Sequence, residues 1–95
     1  MSRTARQQAA VWSAIGPLGQ DMLRLLAQGP RDRHGLFVGL HCRDIAPVLL
    51  SAFRRRLVRT EIVASEVAGR VNTISFANRI AITERGRALL ALNPL

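Results

Sequence analysis

Apolar and polar positions in the first third of the chain alternate with the period of amphipathic helices. Residues 4–15 carry a loose apolar stripe, which a Gly-Pro pair at 16–17 interrupts. The next helix is predicted over residues 18–28, because its apolar positions repeat at i, i+4, i+7 and i+8. These positions are Leu18, Met22, Leu25 and Leu26. A second Gly-Pro pair, at 29–30, is typical of a helix end.

The middle of the chain has weaker periodicity and is divided by polar residues. Residues 31–35 predict a polar loop, and the apolar triplet 36–38 predicts a single short strand. Two helices are then expected, a short one over 41–46 and a longer one over 47–58. Pro47 suits the first turn of the longer helix, where its missing N–H costs nothing.

The helix predicted over 47–58 has one apolar side and one basic side. At 100° per residue, the apolar side consists of Leu49, Leu50, Phe53 and Leu57. The opposite side consists of Ser51, Arg55 and Arg59, with Arg54 and Arg56 on the flanks. Three consecutive arginines cannot all point one way on a helix, so at most two of them reach a groove together.

The last third of the chain changes to the pattern of β-strands and then returns to a helix. Strands are predicted at 60–64, 71–76 and 79–82, with turns at 68–69 and 77–78. Thr83 predicts the N-cap of a final helix that runs to about Leu92. The fold class is therefore expected to be α+β and mainly α. We expect a single domain over 1–95, with an N-terminal helical extension at 1–16 and a core at 17–92.

The order helix, short strand, helix, helix, strand, strand, helix resembles that of winged helix-turn-helix domains. The segment LLSAFRRRLV (Leu49–Val58) is similar to the end of the recognition helix in MarR-like and related small transcriptional regulators. The segment IAITERGRALL (Ile80–Leu90) resembles the end of their wing, and HCRDIA (His41–Ala46) resembles the helix before the recognition helix. The resemblance covers residues 18–92. It implies a winged helix-turn-helix with a β-hairpin wing over 65–79 and terminal helices.

Two positions depart from that family pattern. Pro47 stands where such domains have a turn of about three or four residues, which predicts a very short connection between the two helices of the motif. Arg56 stands where these families carry glycine before Leu-Val. The helix is therefore expected to continue without the usual glycine cap.

Composition favours a globular domain with a polyanion as its partner. An apolar content of 48% argues against disorder. Fourteen arginines and no lysine oppose six acids, which gives a net charge of +8 and a pI of about 11.9. Because this charge is clustered locally, nucleic acid is favoured over an acidic protein partner or a purely solubilising role.

Seven residues are predicted to contact DNA. They are Arg43, Ser51, Arg54, Arg55, Arg59, Arg70 and Arg79. The resemblance places the members at 51–59 in the major groove, where arginine pairs with guanine or phosphate. Arg70 and Arg79 flank the wing, where an arginine enters a minor groove or contacts phosphate. Arg43 is expected to meet the backbone, although the neighbouring Asp44 can equally neutralise it.

No catalytic, cofactor-binding or metal-binding site is expected. The acids are scattered singly and no Gly-rich phosphate loop follows a strand. Cys42 and His41, with His34 nearby, lack a fourth ligand and fit no common zinc spacing. A packing role for Cys42 is favoured over redox sensing. One cysteine, no secretory signal and no apolar run near the ~20 residues of a membrane span favour a cytoplasmic protein that does not enter membranes.

These features predict a sequence-specific DNA-binding transcriptional regulator, a repressor, which catalyses no reaction. The helix at 47–58 would lie in the major groove beside the 65–79 wing. A homodimer is expected by analogy with winged-helix regulators, whose terminal helices pair and whose two-fold symmetry matches palindromic DNA. The alternative is a winged-helix protein-interaction module, such as a small mobile-element protein that binds an acidic host protein or a nucleoprotein complex.

Overall fold

The computed structural model describes residues 3–41, 44–66 and 74–93. Within these ranges the protein is α+β and mainly helical, with four helices and one antiparallel β-hairpin. The elements in chain order are α1 (Arg3–Leu26), α2 (Arg33–Gly39), α3 (Ala46–Arg54), β1 (Val58–Glu66), β2 (Ile74–Ile82) and α4 (Glu84–Leu92).

Helix α1 contains the predicted break as a kink. Gly16 has φ 71° and ψ 176°, which is not a helical conformation, and Pro17 follows it. The side chain of Gln20 donates from Nε2 to the carbonyl oxygen of Trp12 at 2.9 Å. This bond occupies a carbonyl beside the kink, where the regular helical pattern is interrupted. The two helices predicted over 4–15 and 18–28 are therefore joined across the kink.

The loop predicted at 31–35 is wrong from residue 33 onward, and the strand predicted at 36–38 is wrong, because both segments belong to helix α2. Asp32 caps this helix, because its Oδ1 accepts a hydrogen bond from the Gly35 amide at 2.6 Å. Leu36 faces the interior and is completely buried. The extended segment of this region is at Arg31 instead, which exchanges two backbone hydrogen bonds with Ile80, of 3.0 and 2.7 Å.

The short helix predicted over 41–46 is wrong at its described residues 41, 44 and 45, which are not helical, while residues 42–43 lie outside the described ranges. Helix α2 ends at Gly39, and His41 has a left-handed φ of 60° that cannot continue it. Asp44 accepts a hydrogen bond from the Ala46 amide at 3.2 Å, and α3 begins there with a proline in its first turn. Because α2 ends at Gly39 and α3 begins at Ala46, the very short connection expected at Pro47 is not observed.

Helix α3 ends at Arg54 rather than continuing to 58. Arg56 takes φ 59°, in the left-handed region where a glycine is usual. Its amide donates to Phe53 at 3.0 Å, and the Leu57 amide donates to Ala52 at 2.9 Å. These two bonds form the Schellman arrangement that closes a helix C-terminus. The expectation that α3 lacks this cap is therefore wrong, although arginine stands in the place of glycine.

The hairpin pairs β1 with β2 from Val58 opposite Ile82 to Glu66 opposite Ile74. The strand predicted at 60–64 lies within β1. The turn predicted at 77–78 is wrong, because β2 is continuous through these residues and pairs them with β1. The turn predicted at 68–69 lies outside the described residues, as do 67–73 of the predicted wing. Pairing with β1 gives the backbone N–H and C=O groups of 77–78 hydrogen-bond partners, and a turn at these residues would break that pairing.

Helix α4 begins as predicted, with Thr83 as its N-cap. The Thr83 hydroxyl accepts from the Gly86 amide at 3.1 Å and donates to the Arg56 carbonyl at 2.7 Å. The Thr83 amide donates to the Leu57 carbonyl at 3.0 Å. A Cβ at Gly86 would collide with that same carbonyl oxygen and with Ile82. The start of α4 is therefore fixed against the turn between α3 and β1.

One apolar core unites the helices with the base of the hairpin. Its most deeply buried side chains are Met22, Leu23, Leu26, Leu36, Leu57 and Leu89. Ile15 is buried in the same core, and Val11 and Trp12 pack against it, so part of the predicted extension at 1–16 contributes to the core. No helix in the described ranges has the length and apolar character needed to cross a membrane.

Candidate nucleic-acid interface

Helix α3 has one side in the core and one side in solvent. Leu49 and Ala52 are buried, and the helix packs against α1 and β1. The predicted apolar side is only partly correct, because Leu50 is 51% exposed and Phe53 is half-buried. Leu57 is buried but lies beyond the end of the helix. Core packing on one side therefore fixes which residues α3 presents to solvent.

The solvent side of α3 forms a shallow basic surface, called here the α3 face. It is lined by Pro47, Leu50, Ser51, Arg54 and Arg55. Arg54 and Arg55 are both exposed, and Nε of Arg55 donates to Oγ of Ser51 at 3.4 Å. Among the described residues neither arginine has an acidic partner within ion-pair distance. The structure thus brings three of the seven predicted contact residues together.

Arg79 lies beside this surface rather than on it. It lines a cleft of about 470 Å³ between α3 and the hairpin, called here the hairpin cleft. Apolar side chains of α3 and β2 form much of its wall, including Leu49, Phe53 and Ile80. Leu50 lines both the hairpin cleft and the α3 face, so the two surfaces are continuous at that residue.

Arg59 is separated from the α3 face because it lies on β1. It pairs with Glu61, with 3.5 Å between Nη2 and Oε2. It also lines a different depression, called here the arginine depression, with Arg56, Arg85 and Arg87. The helical projection placed Arg59 beside Arg55 because it assumed that α3 continued beyond its observed end.

Two of the predicted contact residues, Arg43 and Arg70, lie outside the described residues, as does Cys42. The two histidines, His34 and His41, are exposed. Within the described part of the chain no three His, Asp or Glu side chains form a group able to hold a metal ion.

Four arginines that line these surfaces were not among the predicted contacts. Arg33 lines the hairpin cleft, Arg56 lines the arginine depression from the turn after α3, and Arg85 and Arg87 line it from α4. The sequence did contain a signal for Arg85 and Arg87, because the Thr83 cap places both arginines in the first turns of α4. Arg33 was assigned to a loop, and only the presence of α2 places it near the hairpin.

Comparison with known proteins provides no relative from which a function can be transferred. The chain has no match among protein-family models, curated proteins or solved structures.

Proposed function

We propose that the protein is a sequence-specific DNA-binding transcriptional regulator with a winged helix-turn-helix architecture. Helices α2 and α3 form the helix-turn-helix, α3 lies in the major groove, and the β1–β2 hairpin is the wing. The observation that carries the proposal is the α3 face. It presents Ser51, Arg54 and Arg55 to solvent while the opposite side of the helix is held in the core.

The order of elements supports this architecture. A helix, an extended residue at Arg31, two helices, two strands and a last helix follow one another. The hydrogen bonds between Arg31 and Ile80 add a short third segment beside β2, as expected of the short strand before the helix-turn-helix. Residues 55–57 alone separate α3 from β1, so the hairpin emerges next to the proposed recognition helix.

The chemistry of the α3 face suits base and phosphate contacts. An arginine guanidinium pairs with guanine O6 and N7 or with a phosphate through two parallel hydrogen bonds. A serine hydroxyl both donates and accepts, so Ser51 can contact a base or a phosphate. A net charge of +8 attracts duplex DNA by releasing its counterions.

The proposal is tested by measuring affinity for random and selected duplexes across a salt series. Arg55→Ala is expected to weaken binding to the selected sequence by ~1–3 kcal/mol, the value of one good bidentate contact. The matched control is Arg6→Ala, which removes the same charge from an exposed position on α1. Arg6→Ala is expected to leave discrimination between the duplexes unchanged.

Two outcomes contradict the proposal. Failure of the parent protein to bind any duplex at low salt would exclude DNA as the partner and favour the protein-interaction alternative. Equal effects of Arg55→Ala and Arg6→Ala would show that the α3 face does not read sequence. Circular dichroism spectra of both variants should match the parent spectrum, because both side chains are exposed.

A further inference from the structure

The arginine depression gathers four cations from three segments of the chain. Arg56 belongs to the turn after α3, Arg59 to β1, and Arg85 and Arg87 to α4. The depression has a volume of about 610 Å³ and lies apart from the α3 face, with which it shares no lining residue. It is therefore a second basic surface, distinct from the one on which the proposed function rests.

Backbone contacts fix the segments that carry Arg56 and the α4 arginines relative to one another. The Thr83 hydroxyl donates to the Arg56 carbonyl at 2.7 Å, and the Thr83 amide donates to the Leu57 carbonyl at 3.0 Å. Gly86 allows α4 to approach the Leu57 carbonyl more closely than a Cβ would permit. The turn that carries Arg56 and the helix that carries Arg85 are thus held together before any ligand arrives. Such preorganisation lowers the entropic cost of binding.

The charges in the depression are largely unneutralised. Glu84 is the one acid among its lining residues. Arg59 pairs with Glu61 at 3.5 Å, but both side chains are more than a third exposed, and such a pair contributes at most ~1 kcal/mol. Within the described residues Arg56, Arg85 and Arg87 have no acidic partner within ion-pair distance. A ligand in this depression therefore meets an excess of positive charge.

The arginine side chains are the charged groups that the depression offers to an anion, and the Thr83 cap occupies part of the α4 N-terminus. The Gly86 amide is occupied by the Thr83 hydroxyl and the Arg87 amide by the Thr83 carbonyl. Arg56 gives a separate indication of an anion site. It adopts a left-handed backbone conformation although it has a Cβ, and its side chain is exposed. Packing does not explain an arginine at this position, whereas an anion beside its guanidinium would.

The lining also favours a phosphate over a protein surface. Its one large apolar side chain, Ile82, is buried, so the depression offers little to the apolar anchors on which protein interfaces depend. Guanidinium groups bind phosphate oxygens through paired, charge-assisted hydrogen bonds.

We propose that the arginine depression binds phosphates of the duplex DNA backbone, as a sequence-independent contact additional to the α3 face. This inference rests on the proposed function, because it assumes that duplex DNA is the partner. Contacts of this kind set the position of a protein on DNA and carry no sequence information.

The test is a double variant, Arg85→Gln with Arg87→Gln, titrated against the selected and a scrambled duplex between 50 and 250 mM salt. Loss of two phosphate contacts should reduce the slope of log K against log salt by about 2. Affinity at 0.1 M salt should fall by roughly tenfold or more on both duplexes, which leaves their ratio unchanged. Arg85→Lys with Arg87→Lys should retain most of the slope, because the charge is kept.

The matched control is Arg6→Gln with Arg31→Gln, which removes two charges from outside the α3 face, the hairpin cleft and the arginine depression. It should change the slope much less than the α4 double variant does. If the parent protein binds DNA and the Arg85→Gln, Arg87→Gln variant shows an unchanged salt slope, this inference is overturned and the proposed function stands. A smaller ratio of the affinities for the selected and the scrambled duplex would also overturn it, because the depression would then read bases. A parent protein that binds no duplex would overturn the proposed function itself.

Discussion

Arg56 holds a conformation that glycine adopts without steric cost. Its φ of 59° costs an L-residue about 1–2 kcal/mol, while glycine loses roughly 0.5–1 kcal/mol in additional chain entropy. The hydrogen bonds that close α3 require this conformation, since Arg56 and Leu57 donate back to Phe53 and Ala52. The backbone, rather than the arginine side chain, therefore determines the conformation at this position.

Arg56→Gly is expected to raise the free energy of unfolding by ~0.5–1 kcal/mol, the difference between these two terms. Urea denaturation of the parent and the variant measures this change. The control, Arg54→Gly, lies in the last turn of α3 and should lower stability by about 1 kcal/mol. An Arg56→Gly variant less stable than the parent would show that the arginine side chain itself supports the fold.

Single-residue signals were predictive where one side chain acts on the nearby backbone. Thr83 was predicted as a cap from its position before the last helix, and it is one. Asp32 carries the same signal but was assigned to a loop, because α2 is too short for a clear apolar repeat. The left-handed conformation of Arg56 could not be predicted from its own preference, since the burial of Leu57 and the start of β1 impose it.

At the scale of elements, the orientation of α3 can be tested by its two adjacent leucines. Leu49→Ala should cost ~2–5 kcal/mol, because it removes a buried side chain from the core. Leu50→Ala should cost less than ~1 kcal/mol, because Leu50 is 51% exposed. Thermal or urea unfolding of both variants checks the difference. A reversed order would mean that the helix is rotated and that the α3 face is assigned incorrectly.

The position of α4 can be tested at Gly86, where helix propensity and packing predict stability changes of opposite sign. Helix propensity alone predicts that Gly86→Ala stabilises the protein by about 1 kcal/mol. Packing predicts the opposite, a loss of ~1–3 kcal/mol, because a Cβ there would collide with the Leu57 carbonyl and Ile82. The midpoint of urea unfolding separates these outcomes. A stabilised variant would contradict the close approach of α4 to the turn after α3.

Apolar periodicity was enough to predict the longest element, α1, and failed for the shorter or paired ones. Helix α3 follows its predicted apolar repeat only in part, and α4 was predicted from its Thr83 cap rather than from a repeat. Helix α2 has seven residues, fewer than a repeat needs to be distinguished from a strand. The continuity of β2 through 77–78 depends on pairing with β1, which is a tertiary property that local sequence does not contain.

At the scale of the whole molecule, eight of the arginines in the described ranges lie on three surfaces. Sequence reasoning placed Ser51, Arg54 and Arg55 together because they lie within one helix. It could not place Arg33 in the hairpin cleft or Arg85 in the arginine depression, since residues distant in sequence meet there. Helical phase thus predicts a site carried by a single element, and only the folded chain assembles a site from several.

The arrangement of charge also bears on how the molecule would approach DNA. Of the acids in the described ranges, Asp21 and Glu61 form ion pairs with Arg24 and Arg59. The other arginines of the three surfaces have no such partner there, so the positive potential extends into solvent. Such a field accelerates association with a polyanion at low salt and is screened within about 8 Å at physiological ionic strength.

The strained arginine after α3 has a consequence for how the gene can change. Every arginine codon becomes a glycine codon by a single base substitution at its first position. Glycine at position 56 is therefore always one mutation away, and that mutation is expected to give a more stable protein with a weaker hold on phosphate. If the arginine depression binds phosphate as proposed, a single base substitution at this codon increases stability and weakens binding.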